Sequence, residues 1–356
     1  MNRRTLLKST SAAVMATPFT SSSLHGCEPP KAKIKIGQIG TTHAHAGGKL
    51  ATIQKFADDY ELVGVVEPDE NRREQLKKDK TYKDVKWMSE KELLGTKGLQ
   101  AVAVETHVRD LLSVATRAVD SGVHIHLDKP AGTSFSTFKA LLDSAHRQSL
   151  VVQMGYMYRY NPAFVFLFEA VRAGWLGELF EVHAVMSKTV GAASRKQLAE
   201  FKGGSMFELG CHLIDAVVAV LGTPDKVTAY NRKTREDSLF DNCLAVFEYP
   251  KATATVRSAL MEVDGFRRRQ FVVCGDRGTI AIRPLEPPVL ELTLDRPQGK
   301  FKKGSQKVSL EKLGGRYDGD FADLAKIIRG EKKPDFQPSH DLAVQRAVLQ
   351  ASGMLV

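Results

Sequence analysis

A regular alternation of short apolar runs and helix-like segments fills the first part of this chain and limits its fold to one broad class. Strand-like runs are predicted at residues 34–39, 62–66, 99–104, 123–127 and 151–154. Helix-like patterns lie between them, at residues 49–56, 71–78, 110–119 and 136–147. This βαβα order predicts an α/β domain with a doubly wound parallel sheet over residues 31–154.

The pattern changes after residue 161. Alternating strands are predicted at residues 179–186, 226–230, 244–249, 253–261, 270–273, 279–282 and 289–294. Helices are predicted at 162–173, 206–221, 319–329 and 339–351, and an exposed hairpin at 300–307. Alternation of apolar and polar residues is typical of antiparallel strands with one face in water. Residues 155–356 are therefore predicted to form a second α/β domain with an open, mostly antiparallel sheet.

The first 30 residues resemble an export signal and a linker. Residues 2–8 read Asn-Arg-Arg-Thr-Leu-Leu-Lys, and a mildly apolar run follows at 11–16. This order matches a twin-arginine signal, and the run is too short to span a bilayer. We predict export to the periplasm. Residues 24–27 (Leu-His-Gly-Cys) also resemble a lipoprotein cleavage site, so a membrane-anchored lipoprotein with a lipid on Cys27 remains an alternative.

Charge and cysteine content argue against a nucleic-acid-binding protein and against a fold held by disulfides or zinc. The chain has 51 basic and 41 acidic residues, but the basic residues are scattered and form no stripe interleaved with aromatic residues. Nucleic acid is therefore not an expected partner. Cys211, Cys243 and Cys274 are too widely spaced for a disulfide framework or a zinc signature, and we interpret them as small core residues.

A lysine stands where the fourth predicted strand ends. The segment Asp128-Lys129-Pro130 follows the apolar run 123–127 directly. Parallel sheets bind ligands at the carboxyl ends of their strands, and the proline disfavours helical geometry at Lys129. The pattern indicates a cation at the mouth of a ligand crevice. On these residues alone, the alternative is a solvated lysine in a turn.

The loop after the first strand contains part of a dinucleotide fingerprint. Gly40 fills the first position of Gly-x-Gly-x-x-Gly, whereas Thr42 and His45 occupy the other two. The hydroxyls of Thr41 and Thr42 are expected to donate to phosphate oxygens. His43 and His45 form a His-x-His pair without an acidic or third partner, so no metal site is predicted and both are assigned to the loop or helix start.

Glu67 ends the second predicted strand and is the candidate for the acid that holds the ribose hydroxyls of a dinucleotide. A carboxylate there would repel a 2′-phosphate, which favours NAD over NADP. Arg72 and Arg73 follow closely and leave NADP open. The alternative for Glu67 is a surface acid that starts a turn at Pro68.

Glu208 and His212 form a second candidate site. They are four residues apart, so on a helix they share a face. A carboxylate beside an imidazole can raise its pKa and orient it as a general base. The alternative is a surface Glu–His pair, and a metal site would lack the second histidine of His-Glu-x-x-His.

In this order the segments resemble the Gfo/Idh/MocA oxidoreductases, which include glucose–fructose oxidoreductase and inositol dehydrogenase. The resemblance rests on the loop at Gly40, on Asp128-Lys129-Pro130, and on residues 155–162, 208–215 and 275–279. It implies an N-terminal Rossmann domain, NAD or NADP as cofactor, and a sugar, cyclitol or glycoside bound between two domains. Family members often assemble through the open sheet, so a homo-oligomer is expected.

The resemblance also implies roles for individual residues. Lys129 maps to the family's catalytic lysine, and Glu208 with His212 to its carboxylate–histidine pair. With the loop residues included, the candidate cofactor contacts are Gly40, Thr41, Thr42, Glu67, Thr106, Asp128 and Lys129. The candidate residues on the substrate side are Tyr158, Arg159 and Asp215, the last as a support for the helix and the base.

The predicted reaction is oxidation of a secondary hydroxyl, with His212 as base, Glu208 orienting it, and Lys129 stabilising the developing alkoxide. Twin-arginine export carries folded proteins and free NAD should be scarce outside the cytoplasm, so a retained, recycled cofactor is predicted. Three alternatives stay open. They are a redox-assisted glycoside hydrolase or lyase with bound NAD, a non-catalytic sugar-binding protein on an altered Rossmann frame, and a cytoplasmic dehydrogenase whose leader is not a signal.

Overall fold

Two β-sheets organise the computed structural model of this protein, which describes residues 31–312 and 314–354. The first sheet contains β1 (Ile34–Ile39), β2 (Tyr60–Val66), β3 (Trp87–Met88), β4 (Ala101–Val104), β5 (His124–Leu127) and β6 (Val152–Met154). The strands lie in the order β3-β2-β1-β4-β5-β6, and all neighbours are parallel. The predicted doubly wound parallel sheet is confirmed.

Five helices follow these strands: α1 (Ala46–Lys55), α2 (Glu70–Leu76), α3 (Glu90–Leu94), α4 (Leu111–Asp120) and α5 (Phe135–Arg147). The prediction missed β3 and α3, which are too short to show a period. The start of α3 does have a local signal, because Ser89 and Glu92 form a reciprocal capping box. The strand order reverses between β1 and β4, and a crevice opens at their carboxyl ends.

The second sheet contains eight strands and confirms the predicted mostly antiparallel architecture. They are β7 (Leu179–Val185), β8 (Lys226–Arg232), β9 (Asn242–Glu248), β10 (Thr253–Ala259), β11 (Gln270–Gly275), β12 (Gly278–Leu285), β13 (Pro288–Leu294) and β14 (Gly304–Val308). Their order is β14-β13-β12-β11-β7-β10-β9-β8, and β7 and β10 are the parallel pair. The exposed hairpin predicted at 300–307 corresponds to β14 at one edge, paired with β13.

The remaining helices are α6 (Pro162–Arg172), α7 (Ala192–Leu198), α8 (Cys211–Leu221), α9 (Asp318–Ile328) and α10 (Pro338–Ala351). The start of α6 follows from its sequence, because Asn161 accepts the N–H of Ala163 and Pro162 occupies the first turn. The single helix predicted at 206–221 is divided. Its first turn, Met206–Gly210, is π-helical and leads into α8.

One apolar cluster connects the two sheets and the helices around them. It includes Ile125 and Leu127 of β5, Leu213 of α8 and Phe271 of β11, all buried. Residues from Lys33 onward form one compact unit, so the domain boundary predicted at residue 154 stays a prediction. No helix in the described part of the chain is long and apolar enough to cross a membrane. The predicted signal and Cys27 lie outside the described residues.

Candidate active site

A crevice of about 650 Å³ opens at the carboxyl ends of β1, β2 and β4. Doubly wound sheets bind ligands at this switch point. Three predicted cofactor residues, Gly40, Glu67 and Thr106, line it. Its other walls include Arg73, Trp87, Met88 and Arg117.

Gly40 allows the first loop to approach the residue that follows β4. Its φ is +89°, and a Cβ atom there would lie 2.8 Å from the backbone nitrogen and Cα of Thr106. An L-residue at this position would meet both left-handed strain and a backbone collision. The close backbone approach, together with the volume of the crevice, fits the adenosine half of a dinucleotide.

Gly40→Ala is expected to destabilise the fold and weaken nucleotide binding more than the matched variant Gly174→Ala. Gly174 has a φ of +71° but nothing within 4 Å of its added Cβ, so both variants carry similar backbone strain. The collision with Thr106 should add roughly 1–3 kcal/mol of destabilisation, as overpacking does. Urea unfolding and nucleotide titration of both variants measure the difference. Equal destabilisation of the two variants would contradict the proposed collision.

The hydroxyl of Thr41 is already engaged within the protein. It donates to the carboxylate of Glu67 and accepts from Arg72 Nε at 2.6 Å, and Thr41 is buried. Glu67 also accepts the N–H of Asp69 at 3.0 Å. Thr42 lies in the same loop and is half-buried. The predicted phosphate contact by the Thr41 hydroxyl therefore competes with two existing hydrogen bonds.

Asp128 is the centre of a buried polar cluster. Its Oδ2 lies 2.8 Å from His43 Nδ1, 3.1 Å from His45 Nδ1 and 2.7 Å from Lys49 Nζ, and Lys49 also contacts Glu105 at 2.9 Å. Burial alone would raise the pKa of Asp128, but His43, Lys49 and His45 hold it well below its usual value.

The cluster has one buried ammonium for two buried carboxylates. Burial and repulsion from Asp128 raise the pKa of Glu105 well above its usual value, despite Lys49. Burial lowers the pKa of His45 to about 4, although Asp128 opposes the shift. Lys49 and Asp128 are therefore the main charged pair of the cluster.

Lys129 is 1% exposed, and its ammonium points across to the π-helical turn before α8. Its Nζ donates to the backbone carbonyl of Glu208 at 2.7 Å and lies 3.5 Å from Glu208 Oε1. Burial would lower the pKa of Lys129, but the Glu208 carboxylate raises it above its usual value. The side chain is a fixed cation and a hydrogen-bond donor, rather than the solvated lysine of the alternative interpretation.

Glu208 does not orient His212 as the four-residue spacing suggested. The Glu208 carboxylate faces Lys129 and lies 3.9 Å from Lys188, and His212 Nδ1 has no hydrogen-bond partner among the described residues. Burial raises the pKa of Glu208, but Lys129 and Lys188 lower it to about 2. Burial lowers the pKa of His212 well below its usual value, so the imidazole is neutral.

These groups border one small cavity of about 110 Å³. Its lining comprises His45, Lys129, Met157, Met186, Lys188, Glu208, Leu209, His212, Phe266, Arg269 and Arg316. Lys129, Glu208 and His212 were predicted from sequence, whereas the cations Lys188, Arg269 and Arg316 were not. The run Arg267-Arg268-Arg269 was visible in the sequence, yet nothing in it indicated that the third arginine alone is buried.

The three residues predicted on the substrate side lie outside this lining. Arg159 is 3% exposed and is bound by Asp215 and Asp341, with its Nη2 at 2.6 and 2.5 Å from their Oδ1 atoms. The Tyr158 hydroxyl donates to Glu286 at 3.1 Å. Buried side chains that are fully engaged by carboxylates have the geometry of structural supports rather than of substrate contacts.

Family models match both parts of this chain. Residues 34–156 match the model described as the oxidoreductase family with an NAD-binding Rossmann fold. Residues 164–281 match the GFO/IDH/MocA C-terminal domain. The chain belongs to the Gfo/Idh/MocA oxidoreductase family. It is therefore an oxidoreductase, with a nicotinamide dinucleotide as its cofactor.

Curated Gfo/Idh/MocA relatives act on sugars and cyclitols. D-xylose 1-dehydrogenase (NADP(+)) 2 of Haloferax volcanii is 27% identical over 227 residues, 63% of this chain and 69% of that protein. The scyllo-inositol 2-dehydrogenase (NAD(+)) of Bacillus subtilis is 25% identical over 192 residues, 54% of this chain and 53% of that protein. The chain thus spans about half to two thirds of these relatives.

Solved oxidoreductase structures share the fold over almost the whole chain. UDP-N-acetylglucosamine 3-dehydrogenase of Acidithiobacillus ferrooxidans aligns with a TM-score of 0.76 at 19% identity, over 91% of this chain and 98% of that one. An oxidoreductase of Agrobacterium radiobacter, solved with NAD+, L-tartaric acid and magnesium, has a TM-score of 0.76 at 16% identity, over 90% and 97% of the chains. At these identities the likeness shows the fold alone.

Proposed function

We propose that this protein is exported and oxidises a secondary hydroxyl of a sugar, cyclitol or glycoside with a retained nicotinamide cofactor. The observation that carries the proposal is the cavity that brings Lys129, Glu208 and His212 together. The cofactor, when bound, accepts or returns the hydride. The family membership and the sugar and cyclitol dehydrogenases among the relatives support the substrate class.

The charge states of the two candidate catalytic residues assign different roles to them. Lys129 keeps its proton because Glu208 faces it, so it donates a hydrogen bond to the substrate oxygen and stabilises negative charge there. His212 is neutral because it is buried, so it has a free lone pair for the hydroxyl proton, although its lowered pKa makes it a weaker base than an exposed histidine. Glu208 positions Lys129 rather than His212.

The lining of the cavity narrows the choice of substrates to test. Lys188, Arg269 and Arg316 add three cations to Lys129, whereas Glu208 is the lining carboxylate. Glu286 lies behind the two arginines and contacts both. A cationic pocket favours a ligand with a carboxylate or phosphate beside its hydroxyl groups. Sugar acids therefore belong in the panel beside neutral sugars and cyclitols.

Cofactor retention is tested on full-length protein that is expressed with its leader and purified from the periplasm without added nucleotide. Heat denaturation should release about one nicotinamide dinucleotide per chain, identified by mass spectrometry. Adding the substrate panel to intact protein should change the absorbance of the bound nicotinamide. Failure to reach the periplasm would contradict export. Protein that carries no nucleotide and binds none in titration would contradict the oxidoreductase mechanism and favour a sugar-binding protein.

A further inference from the structure

We propose that His43, His45 and Asp128 bind a divalent first-row transition metal such as Zn²⁺. One ligand atom of each residue lies within 4.8 Å of the others. The sequence offered two imidazoles without a third ligand, and the fold supplies a carboxylate from the end of β5. Imidazole and carboxylate together are a donor set that such metals favour.

The distances between the donor atoms fit a shared metal ion. His43 Nδ1 and His45 Nδ1 lie 2.8 and 3.1 Å from Asp128 Oδ2. Metal bonds of about 2.0–2.2 Å place neighbouring ligand atoms roughly 2.8–3.1 Å apart at the 90° angles of octahedral geometry, and roughly 3.3–3.6 Å apart in tetrahedral geometry. The observed distances fit the octahedral arrangement. The imidazole ring centroids are 4.8 Å apart, and the ring planes are tilted by 57°. The Nδ1 atoms of both rings lie near the same Asp128 oxygen.

The neighbours of His43 indicate which of its nitrogens is free to bind a cation. Its Nε2 lies 3.1 Å from the backbone carbonyl of Lys129, which can only accept, so Nε2 carries a proton. The backbone N–H of His45 points at His43 Nδ1, with the two nitrogens 3.4 Å apart, which is the geometry of an N–H donor facing a lone pair. That lone pair faces the Asp128 carboxylate at 2.8 Å, so either a proton or a metal ion lies between the two atoms.

Metal-bound histidines usually donate their second ring N–H to an outer hydrogen-bond acceptor. For His43, the backbone carbonyl of Lys129 is such an acceptor. Lys49 provides the corresponding outer contact for Asp128, at 2.7 Å from Oδ2. A carboxylate oxygen has two lone pairs, so Oδ2 can accept from Lys49 and bind a metal at once. Lys49 also contacts Glu105, at 2.9 Å.

A second cluster among the described residues has similar donors but is closed to a metal. Asp215, His340 and Asp341 also bring three ligand atoms together. The guanidinium of Arg159 donates to both carboxylates of that cluster, at 2.6 and 2.5 Å, and so occupies the position that a cation would take. Of these two clusters, the one around Asp128 is therefore the candidate metal site.

The proposed metal site joins two segments of the first domain beside the cavity that contains Lys129. It joins the loop between β1 and α1, where His43 and His45 lie, to the end of β5. His45 also lines the cavity that contains Lys129 and His212, so a metal held by His45 would lie beside this cavity. The crevice that fits the adenosine half of the cofactor includes none of the three ligands.

The test is a Zn²⁺ titration of tag-free, chelator-treated protein, followed by calorimetry and by thermal unfolding. One equivalent should bind and raise the melting temperature. His43→Gln, His45→Gln and Asp128→Asn should each weaken binding by more than the roughly 10–100-fold that loss of an outer partner costs. His146→Gln, which changes a histidine in the last turn of α5, is the matched control and should bind like the wild type.

Absence of stoichiometric binding to the wild type would overturn the proposal and leave an ordinary hydrogen bond between His43 and Asp128. Binding that persists unchanged in His43→Gln and Asp128→Asn would overturn it as well. Circular dichroism shows whether each variant folds. If a variant is misfolded, the wild-type titration still tests whether the protein binds one Zn²⁺. Because the titration uses neither nucleotide nor sugar, its outcome is separate from that of the proposed oxidoreductase function.

Discussion

Replacing Lys129 by methionine is expected to lower turnover by about 10²–10³-fold, the range that one hydrogen-bond donor to a developing oxyanion contributes. Methionine keeps much of the length and apolar stem of the side chain but removes the ammonium that faces Glu208. The cofactor crevice does not include Lys129, so nucleotide affinity should change by less than about tenfold, which is about 1.4 kcal/mol. Single-turnover reduction of the bound nicotinamide with the best substrate of the panel measures the effect.

Lys139→Met is the control for this experiment. Lys139 lies on α5, its side chain is 53% exposed, and it pairs with Asp143 on the same helix. The control should turn over like the wild type, because an exposed pair of this kind contributes little. Turnover by Lys129→Met at the wild-type rate would show that Lys129 is a structural cation rather than a catalytic one.

Replacing Arg159 by leucine is expected to destabilise the protein by about 3–5 kcal/mol, because the change leaves two buried carboxylates without their cation. Asp215 and Asp341 are both buried and both contact the guanidinium. Asp215 belongs to α8, three residues after His212, and Asp341 belongs to α10. Breaking the cluster should therefore also disturb the helix that carries the proposed base. Urea unfolding measures the loss.

The exposed pair Arg267–Asp264 provides the control for Arg159. Its side chains are 87% and 64% exposed, and Arg267→Leu should cost at most about 1 kcal/mol. A second variant, Arg159→Leu combined with Asp341→Leu, should recover part of the stability by removing one of the two unpaired carboxylates. A small loss in Arg159→Leu, combined with a large increase in KM, would instead identify Arg159 as the predicted substrate contact.

Local pattern was sufficient to predict most strands and helices. Period and apolar content located β1, β4, β5 and β6 to within two residues at each end, since these strands are buried on both faces. The two-residue strand β3 and the short helices α3 and α7 were missed. Segments of so few residues are too short to show a measurable hydrophobic period. Asn161 and Pro162 marked the start of α6 correctly, since capping is a local interaction.

The pairing of the candidate catalytic residues depended on contacts that the sequence does not show. The spacing of Glu208 and His212 predicted that the carboxylate would orient the imidazole. In the fold, the turn before α8 is π-helical and the Glu208 carbonyl and carboxylate both face Lys129, a residue 79 positions earlier in the chain. Helical spacing places the side chains of Glu208 and His212 on one face. The orientation of the Glu208 carboxylate is instead set by its nearest opposite charge, the Lys129 ammonium.

The sequence by itself determined the parallel sheet, the lysine at the end of β5 and the two imidazoles of His43 and His45. The tertiary structure decided what those imidazoles contact. Asp128 lies 83 residues after His45, and it reaches them because β1 pairs with β4 and β4 pairs with β5, which brings the carboxyl ends of the strands together. Periodicity and capping act over a few residues, whereas a site built from separate strands exists only once the sheet has formed.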